Sequence, residues 1–278
     1  MSKLIHLKQR MKAIRVIKKI THAMRLISMS SHTKLRKNIA NLELIKNEIS
    51  QVLCQLYKNH PEAYEMNQRA RYDNLYIVMG SEKGLCGNFN NILCSFLESN
   101  IHSLEIKNSH FIVVGKKAKH YFEQKNIPML ISFDKIQTSK VEEIATSIFE
   151  FIESKYSQYK SIACIHNSPK TFFTVEATKT TLVPVQPESC DVNTDSLDSY
   201  VWIQPEEEVA TILFKTLLKT NILTLLTQSM IAEQSSRFLS MDSSTRNADH
   251  LLKAMNLEYN KVRQARITRE IIELIASF

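Results

Sequence analysis

The spacing of apolar residues changes rhythm twice along this chain. Residues 1–60 contain neither glycine nor proline, and neither do residues 206–278. In the first run Leu4, Met11, Ile14, Ile17, Met24 and Ile27, then Leu35, Ile39, Leu42, Ile49, Val52 and Leu56, recur mostly at helical steps. In the last run Val209, Leu213, Leu217, Leu223, Leu226 and Met230 mark one stripe, and Leu251, Met255, Val262, Ile271 and Leu274 a looser one. Uninterrupted helices of that length would extend roughly 90 Å and 110 Å at 1.5 Å per residue, far beyond ordinary globular helices. Each stripe is narrow and needs an apolar partner, so the spacing predicts that the terminal helices pair as a coiled coil. The plainer arrangement is two long surface helices on one core.

Between these runs the rhythm is that of short strands. "LYIVM" (75–79), "FIVVG" (111–115), "MLISF" (129–133) and "IACIH" (162–166) are apolar and rich in β-branched residues. Helix-like stretches at about 89–104, 116–126 and 139–157 separate them, which predicts a parallel α/β unit. Residues 172–185 read as a further strand, with Pro184 placing its end at a sheet edge, and 186–200 as an acidic surface loop. The expected domains are 1–60, an N-terminal coiled-coil helix; 61–205, a central α/β domain; and 206–278, a C-terminal coiled-coil helix.

Charge sharpens this division. Residues 1–60 carry 13 Lys and Arg against two acids, a balance of +11, whereas 61–205 sum to −3 and 206–278 to zero. A basic segment seeks an acidic surface: nucleic acid, lipid headgroups or protein. Nucleic-acid recognition by a basic coiled coil is one reading, but Met11, Ile14, Ile17, Ile20 and Met24 interleave the basic residues, which suits a two-faced rod with a buried seam and a charged outer face. The "PEEE" at 205–208 is the acid-rich first turn expected at a helix N-terminus.

Candidate chemistry is sparse. Five cysteines without a CxxC pair suggest neither a zinc site nor a disulfide framework, and no signal-type apolar segment is present. The amphipathic, acid-free N-terminus does overlap in character with an organellar transit peptide, but its pattern continues into structural residues. No run of 18 apolar residues occurs, so no membrane span is expected. The histidines are scattered and no GxSxG elbow exists. Gly80, Gly84 and Gly87, three of the four glycines, fall in "GSEKGLCG" after a predicted strand. A phosphate loop needs GxxxxGK[ST], and here Leu85 follows Gly84. A structural turn is expected instead, requiring positive φ or close backbone approach. Cys86, beside Lys83, reads as a small half-buried filler. No cofactor and no metal are expected.

Three segments together, "KKITHAMRLISMSSHTKLRK" (18–37), "GSEKGLCGNFN" (80–90) and "EQSSRFLSMDSSTRNADHLLKAMNLEYNKVRQARITREIIELI" (233–275), resemble the γ subunits of F-type ATP synthases. The resemblance rests on a KIT-x-AM run, a GLCG turn and a long C-terminal signature, in that order. It implies an α/β fold: a long antiparallel coiled coil of N- and C-terminal helices plus a central Rossmann-like α/β domain. It further implies a non-catalytic rotor shaft of the proton-translocating enzyme, with partners in the α and β subunits, the ε subunit and the c-ring. Met24, Arg237, Arg263, Gln264, Thr268 and Glu270 match rotor–stator contact positions, and Gly80, Gly84 and Gly87 a turn near the β subunits. Departures are His22 for a common lysine, Ser235–Ser236 for alanines, the added charges Arg266 and Arg269, and the ending "ASF". The lack of a presequence before the motifs favours a bacterial protein, peripheral at the cytoplasmic face of the inner membrane.

Overall fold

The computed structural model describes residues 2–59, 72–100, 109–155, 158–184 and 204–277. The expected surface loop at 186–200 lies outside the described residues. Helix α1 runs Ser2–Asn59 and helix α5 Glu206–Ala276. The absence of helix breakers allows such lengths, and Glu206, Glu207 and Glu208 favour the N-terminal dipole of α5. Between the long helices lie β1 (Tyr72–Met79), α2 (Phe89–Asn100), β2 (Ser109–Val114), α3 (Lys116–Gln124), β3 (Ile131–Phe133), α4 (Val141–Glu153), β4 (Tyr159–Pro169) and β5 (Val175–Val183). The sheet order is β3-β2-β1-β4-β5. The first four strands are parallel and β5 is an antiparallel edge strand ending before Pro184. Each expected strand is present.

Contacts divide the chain into two compact units: one of Met1–Ser30 with Arg237–Phe278, the other of Ser31–Ser236. In the larger unit β1 and β2 are buried on both faces, as parallel strands require, so they read as continuous apolar runs. Leu75, Ile77, Met79, Ile112 and Cys164 pack on one face against Ile148 and Ile152 of α4, Ile222 and Leu226 of α5, and Leu35 of α1. Tyr76, Val78, Phe111 and Val113 pack on the other against Leu93 and Leu97 of α2 and Ala118 and Phe122 of α3. Leu53 and Leu56 of α1 meet Ala210 and Leu217 of α5, an antiparallel pairing. Lys215 of α5 adds an ion pair to Glu153 of α4 at 2.8 Å. One stretch of α5 is long and apolar enough to cross a membrane by length and composition. Its Leu217, Leu218, Ile222 and Leu226 are buried within this unit.

In the smaller unit α1 and α5 pair antiparallel. Met11 packs on Leu252 and Met255, with Leu7, Ile14 and Tyr259 beside them. Further along, Lys18 meets Asp249 and Arg25 meets Asp242. The seam differs from the one the spacing suggests. Ile17, Ile20 and Ile27 are 52%, 53% and 64% exposed, and in α5 the buried position is Leu252, not Leu251. The physical reason is polar: Lys18, Thr21 and Arg25 take the inward positions, one residue along from the apolar stripe. A second departure from the sequence reading is Cys54, which is disulfide-bonded.

Candidate functional site

The glycine cluster lies at the carboxyl end of β1, beside the point where the strand order reverses between β1 and β4. In doubly wound sheets that crevice is where ligands bind. Here the chain fills it. Cys86 and Phe89 are buried against Ala232 of α5, with Val175 alongside. Asn167 at the end of β4 donates through Nδ2 to Phe89 O at 2.8 Å. Asn90 accepts from Ser81 Oγ at 3.0 Å and donates to Cys86 Sγ at 3.2 Å. The N-terminus of α3, a place for a phosphate in a nucleotide-binding fold, is instead met by the Glu82 carboxylate, which accepts from Lys116 N at 3.3 Å.

The three glycines earn their positions differently. Gly80 N donates to Val114 O at 2.8 Å, and a Cβ on Gly80 would stand 2.6 Å from Ala118 Cβ. Gly87 adopts φ 56°. Gly84 needs neither allowance: an added Cβ would meet Lys117 Cε at an ordinary 3.6 Å. Leu85 between them has φ 62° and is exposed. Gly115, the fourth glycine, completes the site with φ 98° and room for no side chain against Gly80 O. Sequence reading passed over Gly115 because it stands outside the cluster, although its place at a strand-to-helix junction was a usable signal.

The paired helices of the smaller unit form the second candidate surface. Their residues carry 15 Lys and Arg against five acids, a net of +10. On the same pair stand the exposed Ile5, Val16, Ile17, Ile20, Leu26, Ile27, and, near the end of α5, Ile267, Ile271, Ile272, Leu274 and Ile275. Polar contacts hold the two helices where the seam lacks apolar side chains. Asp242 receives Arg25 Nη1 at 2.6 Å and Arg246 Nη2 at 2.8 Å. Asp249 receives Lys18 and, at 3.2 Å, Lys253, and these cations hold its carboxyl below the usual carboxylate range. Thr245 Oγ1 donates to Thr21 Oγ1 at 2.8 Å. The seven-residue spacings of 18 to 25 and 242 to 249 were the sequence signal for this ladder, and apolar periodicity passes over it.

Of the residues singled out from sequence, Met24 is half-buried on α1 among Ile20 and Ile27. Arg263, Gln264, Thr268 and Glu270 are exposed on one stretch of α5, where Arg266 Nε donates to Glu270 at 2.6 Å and Thr268 Oγ1 to Gln264 O at 3.0 Å. Arg237 stands apart from them, 7% exposed. His22 Nδ1 lies 3.2 Å from Arg25 Nη2.

These features define a class: a chain with a doubly wound α/β domain whose ligand crevice is plugged and a pair of long helices with a cationic and apolar surface. The family model described as ATP synthase matches residues 3–278, and the chain belongs to that family. The ATP synthase gamma chain of Fusobacterium nucleatum is 26% identical over 97% of this chain and 96% of its own length. Those of Clostridium novyi and Rickettsia canadensis are each 29% identical, over 98% and 99% of this chain and 96% and 98% of theirs. The fold is similar to the rotor of Euglena gracilis mitochondrial ATP synthase, with a TM-score of 0.67 at 11% identity, covering 96% of this chain and 99% of that one. It is also similar to the central stalk/c-ring of the Tetrahymena thermophila enzyme, with a TM-score of 0.59 at 21% identity over 81% of this chain and 98% of that one. Within its family the chain takes the place of the gamma chain, the central rotor shaft. The nucleic-acid-binding alternative finds no support in these likenesses.

Proposed function

We propose that this shaft couples ion flow through a membrane ring to conformational cycling of catalytic β subunits, and that it hydrolyses nothing itself. The observation that carries this is the outward apolar stripe of Ile17, Ile20 and Ile27 on a strongly cationic helix pair. An isolated two-helix protein gains by burying that stripe. Leaving it outward suits a surface that meets neighbours around it. Such a shaft acts by differential contact: each β subunit sees a different face and shifts its conformational population accordingly.

Met24, Arg263, Gln264, Thr268 and Glu270 are the rotor–stator contacts in this reading. Arg237, nearly buried, has the least surface to offer. The glycine turn is a structural corner near the β subunits, and the central domain is a foot that meets the c-ring and the ε subunit. By role the chain divides into shaft helices at 1–60 and 206–278 and a foot at 61–205, with 31–59 and 206–236 in the compact unit of the sheet, and the complex is peripheral to a bacterial inner membrane at its cytoplasmic face. The test is purification of the tagged chain in mild detergent followed by mass spectrometry of its partners. Recovery of α, β, ε and c in one ATP-hydrolysing particle is expected; a chain that comes down alone, or with nucleic acid, would overturn the proposal.

A further inference from the structure

Helix α1 carries two competing stripes one residue apart. The inward one steps by three and four: Leu7, Met11, Ile14, Lys18, Thr21, Arg25 and Ser28, all buried or half-buried. The outward one, Ile17, Ile20, Met24 and Ile27, has the same step and is the more apolar over that window. A roll of α1 by about 100°, one residue of helical rotation, would exchange them. Leu7, Met11 and Ile14 oppose that roll at the N-terminal end, but over residues 17–28 apolar burial favours it, so there something must hold the polar stripe inward.

The two aspartates of α5 have the geometry to do it. Each carboxylate uses one oxygen for a cation on α1 and the other for the cation four residues along its own helix. Asp242 takes Arg25 on Oδ1 and Arg246 on Oδ2. Asp249 takes Lys18 on Oδ1 and Lys253 on Oδ2. The pair on its own helix helps fix each carboxylate's orientation, and the α1 cation then docks on the remaining oxygen. The Thr21–Thr245 hydrogen bond lies between the two triads. Polar groups at seam positions are known to select one packing at a cost in stability.

We propose that Asp242 and Asp249 are positioning residues that fix the rotational phase of α1 and so keep Ile17, Ile20 and Ile27 turned outward. The use of that outward stripe in the complex rests on the rotor reading; the phase lock itself does not.

The experiment is hydroxyl-radical footprinting of the full chain, read by mass spectrometry at Ile20 and Ile27. In D242N/D249N the labelling of both should fall several-fold as the stripe turns inward, while D242E/D249E, which keeps the charge, should label like the parent. Parent-like labelling in D242N/D249N would overturn the proposal. If circular dichroism shows that D242N/D249N does not fold, the parent is footprinted in 1 M salt, where the screening length is about 3 Å. A fall in Ile20 and Ile27 labelling then supports the lock, and unchanged labelling overturns it. Undiminished ATP-driven proton pumping by a reconstituted complex with an altered footprint would leave the lock standing and remove the stripe from the rotor mechanism.

Discussion

At the scale of single residues, the glycine turn separates requirement from habit. Gly80→Ala would set a Cβ 2.6 Å from Ala118 Cβ, which is fixed to the backbone of α3 and cannot swing away. We expect a loss of about 1–3 kcal/mol, the usual range for overpacking. Gly87→Ala, at φ 56°, should cost about 1–2 kcal/mol for the left-handed backbone. Gly84→Ala should be neutral or stabilising by up to about 1 kcal/mol, since the unfolded chain loses freedom and the folded one loses nothing. Urea melts of the three variants check this order. His166 offers a second test. It is 2% exposed, its Nδ1 has no hydrogen-bond partner among the described residues, and burial holds its pKa down at about 4 despite hydrogen bonding with Gln228 and the Cys164 backbone. Between about 4 and the ordinary 6.5 the unfolded chain binds the proton and the folded one does not. The stability that neutral His166 contributes is therefore complete above pH 6.5 and is lost as pH falls toward 4, on the order of 3 kcal/mol in all. Paired melts at pH 7 and pH 4.5 should show a smaller acid loss in His166→Gln than in the parent, and equal losses would mean that the acid sensitivity lies in other groups.

At the scale of elements, the strands and both terminal helices were legible because each is written in local chemistry: β-branched runs, absent breakers, an acidic first turn. The seam of α1 was legible only in part. Periodicity finds stripes of apolar residues, but it cannot say whether a stripe is buried by its own chain or kept for another. Ile17 and Ile20 satisfied the pattern and face outward, while Lys18 and Arg25 broke it and face inward. The plug of the crevice was equally hidden, since Cys86 and Phe89 meet Ala232 across more than 140 residues of chain. Motif matching excluded a phosphate loop but could not say what stood in its place. The seam assignment makes a prediction of its own. Met11→Ala removes a buried side chain and should cost the free chain about 2–5 kcal/mol, toward the low end if the seam collapses. Ile20→Ala, at an exposed position, should stay within about 0.5 kcal/mol. Thermal melts that ranked Ile20→Ala as the costlier change would place Ile20 in the seam.

At the scale of the whole molecule, the unit of Met1–Ser30 and Arg237–Phe278 has a net charge of +10 in a chain of +8, so the remainder is slightly acidic. The positive charge and the outward apolar stripe thus share the helix pair that the proposed function turns inside the catalytic ring. Met24 is half-buried on that pair, between Ile20 and Ile27. Its thioether is soft and makes no fixed polar bond, which suits a surface that must meet three β conformations in succession. In the proposed function, a lysine there could find a carboxylate on one conformer and not on the others. A partly exposed ion pair of that kind is worth about 1 kcal/mol at most. Because 1.36 kcal/mol is tenfold in rate, such a bias would slow escape from one rotor angle roughly fivefold. Met24→Lys should therefore assemble normally and still hydrolyse ATP, while ATP-driven proton pumping falls by more than hydrolysis does. The measurement is the ratio of pumping to hydrolysis in reconstituted vesicles, with assembly checked by gel filtration. Equal loss of both activities, or failure to assemble, would make Met24 a packing residue of the helix pair and leave the outward isoleucines to carry the contact alone.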